Sequence, residues 1–239
     1  MARSKRFNNE CVYTELDLER LVGERKKSNT YNIVGSEKYV SVKLDMNIGD
    51  TKITRYVDKQ PFVPSDDKKR EKRSEEILSI QSLGLKKRLD HTHAKTAVVG
   101  VSGGLDSTLA LLVTVRAFDS LNLDRKNIIA VTMPCFGTTD RTYNNAVNFA
   151  NSLGVTLKEV NIKAAVNQHF ADIEHDPNLY DVTYENSQAR ERTQILMDVA
   201  NKSGGLVIGT GDMSELALGW ATYNGDHMSM YGVNAGVPK

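Results

Sequence analysis

The sequence predicts an α/β fold, a doubly wound parallel sheet, and three observations carry that expectation. Short apolar runs recur from Thr96 onward, TAVVGV, NIIAVT and GLVIGT, and such unbroken runs suit strands buried on both faces. Each alternates with a longer stretch of helical periodicity. Glycine punctuates the junctions, in SGGLDS after the first run and in SLG and KSG before later ones. Repeated βα units imply parallel strands joined by right-handed crossovers, with ligands beyond the carboxyl ends of the strands.

Taken in order, TAVVGV is the first strand and STLALLVTVRAF the helix after it. NIIAVT is the second strand, RTYNNAVNFANSLG a helix closed by a glycine cap, and VTLKEVNI a third strand. SQARERTQILMDVANKSG is a helix, from Ser187 to Asn201, leading into the fourth strand, GLVIGT. Upstream the texture differs. KYVSVKL and TKITRYV alternate at period two, which predicts strands or a hairpin around Asn47 to Thr51, in a block too small for its own core. A Pro-punctuated connector then enters a segment with Ile77, Ile80, Leu83, Leu85 and Leu89 near helical spacing, capped by Asp66 or Ser65. The expected division is residues 1–60, a β-containing appendage; 61–95, a helical connector; and 96–239, the α/β domain.

With 239 residues, 40% hydrophobic and 26% charged, the chain can bury one sizeable core. The formal charge is only +1, so no global field points to nucleic acid or a membrane surface, and an anion site has to be built locally. The Lys68 to Arg73 cluster is broken by glutamate and reads as a solvated helix face. MARSKRFNNE lacks the apolar stretch of a signal peptide, no 18-residue apolar run occurs, and Cys11 and Cys135 show no C-x-x-C spacing. A cytoplasmic chain without a zinc site is expected.

SGGLDS is the polar knot between the first strand and its helix. Gly103 and Gly104 reach backbone conformations closed to other residues and leave amides facing a ligand oxygen, which makes a phosphate cradle. Neither G-x-x-x-x-G-K-[ST] nor G-x-G-x-x-G fits it. It is similar to the S-G-G-x-D-S loop of the N-type ATP pyrophosphatases, where the β and γ phosphates are held and attack falls on the α phosphorus. On that pattern Ser102 and Ser107 give hydroxyls and Asp106 holds Mg²⁺.

YENSQARERTQILMDVAN, followed by VIGTGDMSELALGWATYNGDHMSMYGVNAGVPK, resembles the synthetase domain of the glutamine-dependent NAD synthetases. PFVPSD and EEILSIQSLGLKKRL resemble the lead-in of that branch, and YTELDLERLVGERKKSNTY the tail of its nitrilase-like glutaminase domain. The resemblance runs from about Thr14 to Lys239. It implies a Rossmann-like sheet of the adenine-nucleotide alpha-hydrolase type and a ligase that uses ATP and Mg²⁺. ATP would adenylate the nicotinate carboxylate of deamido-NAD, and ammonia would then displace AMP.

It also implies residue roles. Gly100, Val101, Ser102, Gly103, Gly104, Leu105, Asp106 and Ser107 would cradle ATP, with Thr210 and Lys239 as further contacts. Asp106 and Glu215 would be the metal pair, and Asn186, Arg190, Arg192 and Glu215 would meet deamido-NAD. Asp106, Glu215, Asp226 and Lys239 would serve catalysis, Asp226 beside the ammonia. Arg190 and Arg192 lie about 200° apart on a helix, so one should dominate, and the family match picks Arg190.

Plainer readings stand beside these. Arg190, Glu191 and Arg192 would serve equally as a charged helix face, Asp226 as a turn acid and Glu215 as a helix cap. His169, His175 and His227 read as surface or structural groups, Trp220 and Tyr223 as core or wall. Tyr223, Met230 and Thr132 stand where ammonia-only relatives carry Lys, Asp and Arg, which favours the glutamine-dependent branch. The glutaminase nucleophile is not matched by Cys11, and the family continues past Lys239, so an excised piece is expected, part of a homo-oligomer and unable to use glutamine alone. The alternatives are a nucleotide-binding fragment or assembly module without turnover, and an ATP pyrophosphatase amidotransferase with another acceptor.

Overall fold

The run from Thr96 to Gly100 becomes the central strand because its side chains are buried on both faces: Ala97, Val98 and Val99 are wholly inaccessible. The structure is a computed structural model. It describes residues 10–30, 40–43, 45, 49–50, 52, 54, 56–57, 59, 63–137, 139–225 and 227–238. The chain divides into two compact units, Met1–Tyr56 and Val57–Lys239.

In the first unit, helix α1 (Leu18–Lys27) is capped by the Asp17 side chain, which accepts from Arg20 N at 2.9 Å. None of its residues is buried. Of the β-containing appendage expected from KYVSVKL and TKITRYV only scattered residues are described; among those no strand forms, and Val40, Val42 and Tyr56 are exposed. The rest of both stretches lies outside the described residues.

The second unit begins with α2 (Asp67–Thr92), whose N-cap Asp66 accepts from Lys69 N at 2.8 Å. Leu85 and Leu89 are buried as expected, but Ile80 and Leu83 face solvent. The inward stripe is Leu78, Gln81, Ser82, Leu85 and Leu89, and positions 80 and 83 fall about 140° and 200° from Leu85 around the helix. Then follow β1 (Thr96–Gly100), α3 (Leu105–Ser120), β2 (Ile128–Thr132), α4 (Asp140–Leu153), β3 (Thr156–Glu159), α5 (Lys163–Asp172), α6 (Val182–Ser203), β4 (Gly205–Gly209), α7 (Met213–Leu218) and β5 (Tyr231–Gly232).

All five strands are parallel, in the order β3-β2-β1-β4-β5. Alternation across β1 builds two cores: Ala97 and Val99 pack with α2, α3 and α4, and Val98 with α5 and α6. The strand order reverses between β1 and β4. That is where a doubly wound sheet opens a crevice at its carboxyl edge. Helix α4 ends in left-handed Gly154, as its sequence indicates, while α6, capped by Asp181, starts at Val182, five residues before its expected start at Ser187. No described helix is long and apolar enough to cross a membrane.

Candidate active site

Beyond the carboxyl ends of β1 and β4 lies a cavity of about 1270 Å³. One wall comes from Gly100, Val101, Ser102, Asp106 and Ser107, the other from Thr210, Gly211 and Glu215. The SGGLDS turn owes its shape to Gly103, at φ +78°, where a Cβ would sit 2.1 Å from the Thr142 carbonyl oxygen. No side chain is tolerated there. Gly104 is the N-cap of α3 with an ordinary negative φ, so the first-turn amides of that 16-residue helix open toward the loop.

Hydroxyls pre-form the loop. Ser107 Oγ accepts from Ser102 N at 3.3 Å, donates to Gly104 O at 3.1 Å and lies 3.3 Å from Ser102 Oγ. Ser102 is exposed and Ser107 buried, and both line the cavity beside Asp106. Gly103, Gly104 and Leu105 shape the turn without lining it. Across the cavity, Asp212 and Glu215 form a reciprocal capping box on α7: Asp212 Oδ1 accepts from Glu215 N at 2.7 Å and Glu215 Oε2 from Asp212 N at 3.2 Å. Glu215 is thus a helix cap and a cavity wall at once.

Helix α6 decides which arginine faces inward. Glu185, Gln188, Ala189, Arg192, Thr193 and Leu196 line the cavity, a stripe at spacings of three and four. Arg192 belongs to it and Arg190 does not. Arg190 instead donates from Nε to Tyr223 O at 3.2 Å, and Asn186 Oδ1 accepts from Thr222 Oγ1 at 2.9 Å, so this pair anchors the loop after α7. The family resemblance picks Arg190, four residues after Asn186; with α6 starting at Val182 both arginines lie past the first turn, and the register turns only Arg192 inward.

Asp226 and Lys239 lie outside the described residues. Trp220 and Tyr223 are exposed wall, not core; His227 also lines the cavity, its Nδ1 2.7 Å from Thr222 O. Thr132 is buried at the cavity floor, and Met230 packs in the core beside Val207. Tyr143 and Gln188 had no assigned role. Tyr143 donates to Glu159 Oε2 at 2.6 Å, and that bond raises its phenol above the usual value. Burial pushes the Cys135 thiol up; Cys11 and Cys135 form no disulfide. Among the described residues no cluster of three or more metal-ligating groups exists.

The model of the NAD synthase family matches residues 77–233 of this chain. The chain belongs to the NAD synthase family. It is 41% identical, over 254 aligned positions, to the glutamine-dependent NAD(+) synthetase of Mycobacterium leprae, covering all of this chain and 37% of that one. The Aquifex aeolicus protein of the same name is 31% identical over 95% of this chain and 38% of its own. This member therefore spans little more than a third of the curated relatives it matches. Among solved structures, the glutamine-dependent NAD+ synthetase of Acinetobacter baumannii in complex with ADP aligns with a TM-score of 0.64 and 32% identity, over 69% of this chain and 30% of that one. The NH3-dependent NAD synthetase of Campylobacter jejuni aligns with a TM-score of 0.62 and 25% identity, over 69% of this chain and 68% of that one. The family's fold is that expected, the Rossmann-like sheet of the adenine-nucleotide alpha-hydrolase type.

Proposed function

We propose that this chain carries the synthetase half of a glutamine-dependent NAD synthetase, amidating deamido-NAD to NAD with ATP. The observation that carries the reading is one cavity uniting the serines and aspartate of SGGLDS with Thr210 and Glu215 across the β1–β4 crevice. A relative with this cavity's fold is an ADP complex. The volume, about 1270 Å³, exceeds the roughly 300–1,000 Å³ of ordinary ligand pockets, which suits a site that takes two nucleotides.

The loop amides and the Ser102 and Ser107 hydroxyls would bind the β and γ phosphates, leaving the α phosphorus toward the cavity. The nicotinate carboxylate attacks that phosphorus and pyrophosphate leaves; ammonia then adds to the acyl carbon, loses its proton, and AMP departs. Positioning and charge neutralisation suffice for both steps. Asp106 and Glu215 would hold Mg²⁺, since this ion needs only one or two carboxylates beside phosphate oxygens; it supplies charge neutralisation at the departing pyrophosphate. Arg192, on the inward stripe of α6, is the cation that meets an anionic group of deamido-NAD. Arg190 and Asn186 act behind it by holding residues 222 and 223.

The domain reading is residues 1–60 as the tail of a glutaminase domain, 61–95 as connector and 96–239 as synthetase, working in the cytoplasm within a homo-oligomer. Mg-ATP, deamido-NAD and ammonia are the test. NAD and AMP appearing in equal amounts support the reading; ATP binding with neither product makes the chain a nucleotide-binding module, and AMP with a non-pyridine acid alone makes it a different amidotransferase.

A further inference from the structure

Asn234 has no role in the site as described so far, yet it is 1% exposed in the turn after β5, and every polar atom of its side-chain amide is engaged. Its Nδ2 donates to Asp106 O at 2.9 Å and to Thr210 O at 3.0 Å. Its Oδ1 accepts from Gln81 Nε2 at 3.1 Å, and the same Nε2 donates to Val233 O at 2.9 Å. Two carbonyls in front of Nδ2 and a donor in front of Oδ1 leave one orientation for the group. It therefore spans the crevice, tying the first turn of α3 to the segment after β4.

The surrounding backbone extends the tie. Val233 N donates to Gly209 O at 3.3 Å, and Met213 N, the first residue of α7, to Val237 O at 3.0 Å. The turn of residues 233–237 thus holds both cavity walls that carry a candidate metal carboxylate. Gln81 fills its place at a cost, because its Oε1 is buried without a hydrogen-bond partner. A side chain kept there only for packing would have no need of an amide.

We infer that Asn234, oriented by Gln81, is a positioning residue that fixes the SGGLDS loop against the Thr210–Glu215 segment, so that a nucleotide triphosphate meets both walls together. The inference rests on the ATP reading above. Loss of the amide lets the walls drift apart. Ligands that bridge them suffer, and those resting on one wall do not.

The test compares Mg-ATP with AMP, which lacks the β and γ phosphates, by calorimetry on the full chain, for wild type, Asn234→Ala and Gln81→Met. The second variant keeps length and burial and removes the orienting donor together with its bond to Val233 O. Far-UV circular dichroism and thermal unfolding report the fold. Folded variants should bind Mg-ATP about tenfold more weakly, the scale of one or two lost hydrogen bonds, with AMP affinity changed less than about twofold. Equal losses for both ligands, or unchanged Mg-ATP binding in a folded variant, overturn the inference. So does loss of folding in both variants, which makes the amide a stability element only. A wild-type chain that binds no Mg-ATP instead overturns the functional reading on which it rests.

Discussion

Replacing Gly103 by alanine should cost far more than replacing its neighbour Gly104, although SGGLDS presents the two glycines as equivalents. At Gly103 the added methyl meets two separate penalties. The backbone is at φ +78°, where an L side chain costs about 1–2 kcal/mol. The Cβ would stand 2.1 Å from Thr142 O, 3.0 Å from Thr142 C and 3.2 Å from its Cα, against 3.4–4 Å for ordinary contact, and all three are backbone atoms that cannot rotate away. Relieving that overlap means moving the start of α4 from the loop, a strain on the order of 1–3 kcal/mol. Together they give a loss of about 3 kcal/mol. At Gly104 φ is −86° and the nearest atom is the Ser102 hydroxyl oxygen at 3.3 Å, so Gly104→Ala changes little beyond cap preference, below about 1 kcal/mol. Urea unfolding of the two variants and the wild type measures both. A Gly103→Ala variant within about 0.5 kcal/mol of wild type, or a Gly104→Ala variant that is the less stable of the two, refutes the reasoning.

Arg192→Ala should lose about 1.5–3 kcal/mol of deamido-NAD affinity, the range for hydrogen bonds to charged groups, and Arg190→Ala clearly less; titration with the ligand ranks them, and the reverse order means α6 is rotated from its described register. Asp106→Ala should weaken Mg-ATP binding yet leave the unfolding midpoint near wild type, because its half-exposed side chain adds little to the core; calorimetry and a thermal melt read the two effects separately. Asp181 caps α6, and the Tyr184 N–H it accepts holds its carboxyl below the usual aspartate range. That stabilisation is fully present above the unfolded value, about pH 4, and fades as pH falls through the lower folded value, so Asp181→Asn should flatten the acid limb of stability against pH.

What the sequence made legible follows what local chemistry controls. TAVVGV, NIIAVT and GLVIGT read as buried strands because burial on both faces leaves an unbroken apolar run, and each forms. VTLKEVNI yields a strand of only Thr156–Glu159, at the sheet edge and largely exposed, and the helix Lys163–Asp172 after it carries too few apolar positions to announce itself. Strand β5 is two residues long and exists only because β4 offers it a ladder. The α6 stripe was within reach: Glu185, Gln188, Arg192 and Leu196 keep helical spacing, but Asp181 had to be seen as the cap before their face could be assigned. Asn234 gives no local signal, since its partners stand far off in the chain.

The Asn234 bond to Asp106 closes a span of 128 residues, and Gln81 reaches across 152 to Val233. Closure over such spans adds little to the equilibrium cost, because the entropy grows only with the logarithm of loop length, but it delays formation. On a ribosome adding about 5–20 residues per second, Asp106 is made roughly 6 to 26 s before Asn234, a gap set by those 128 residues. The three central strands can pair in that interval while the crevice still lacks its crossbeam. On the ATP reading proposed above, the nucleotide would meet both walls only after the turn of residues 233–237 has docked, and its mass-action protection against unfolding would begin there.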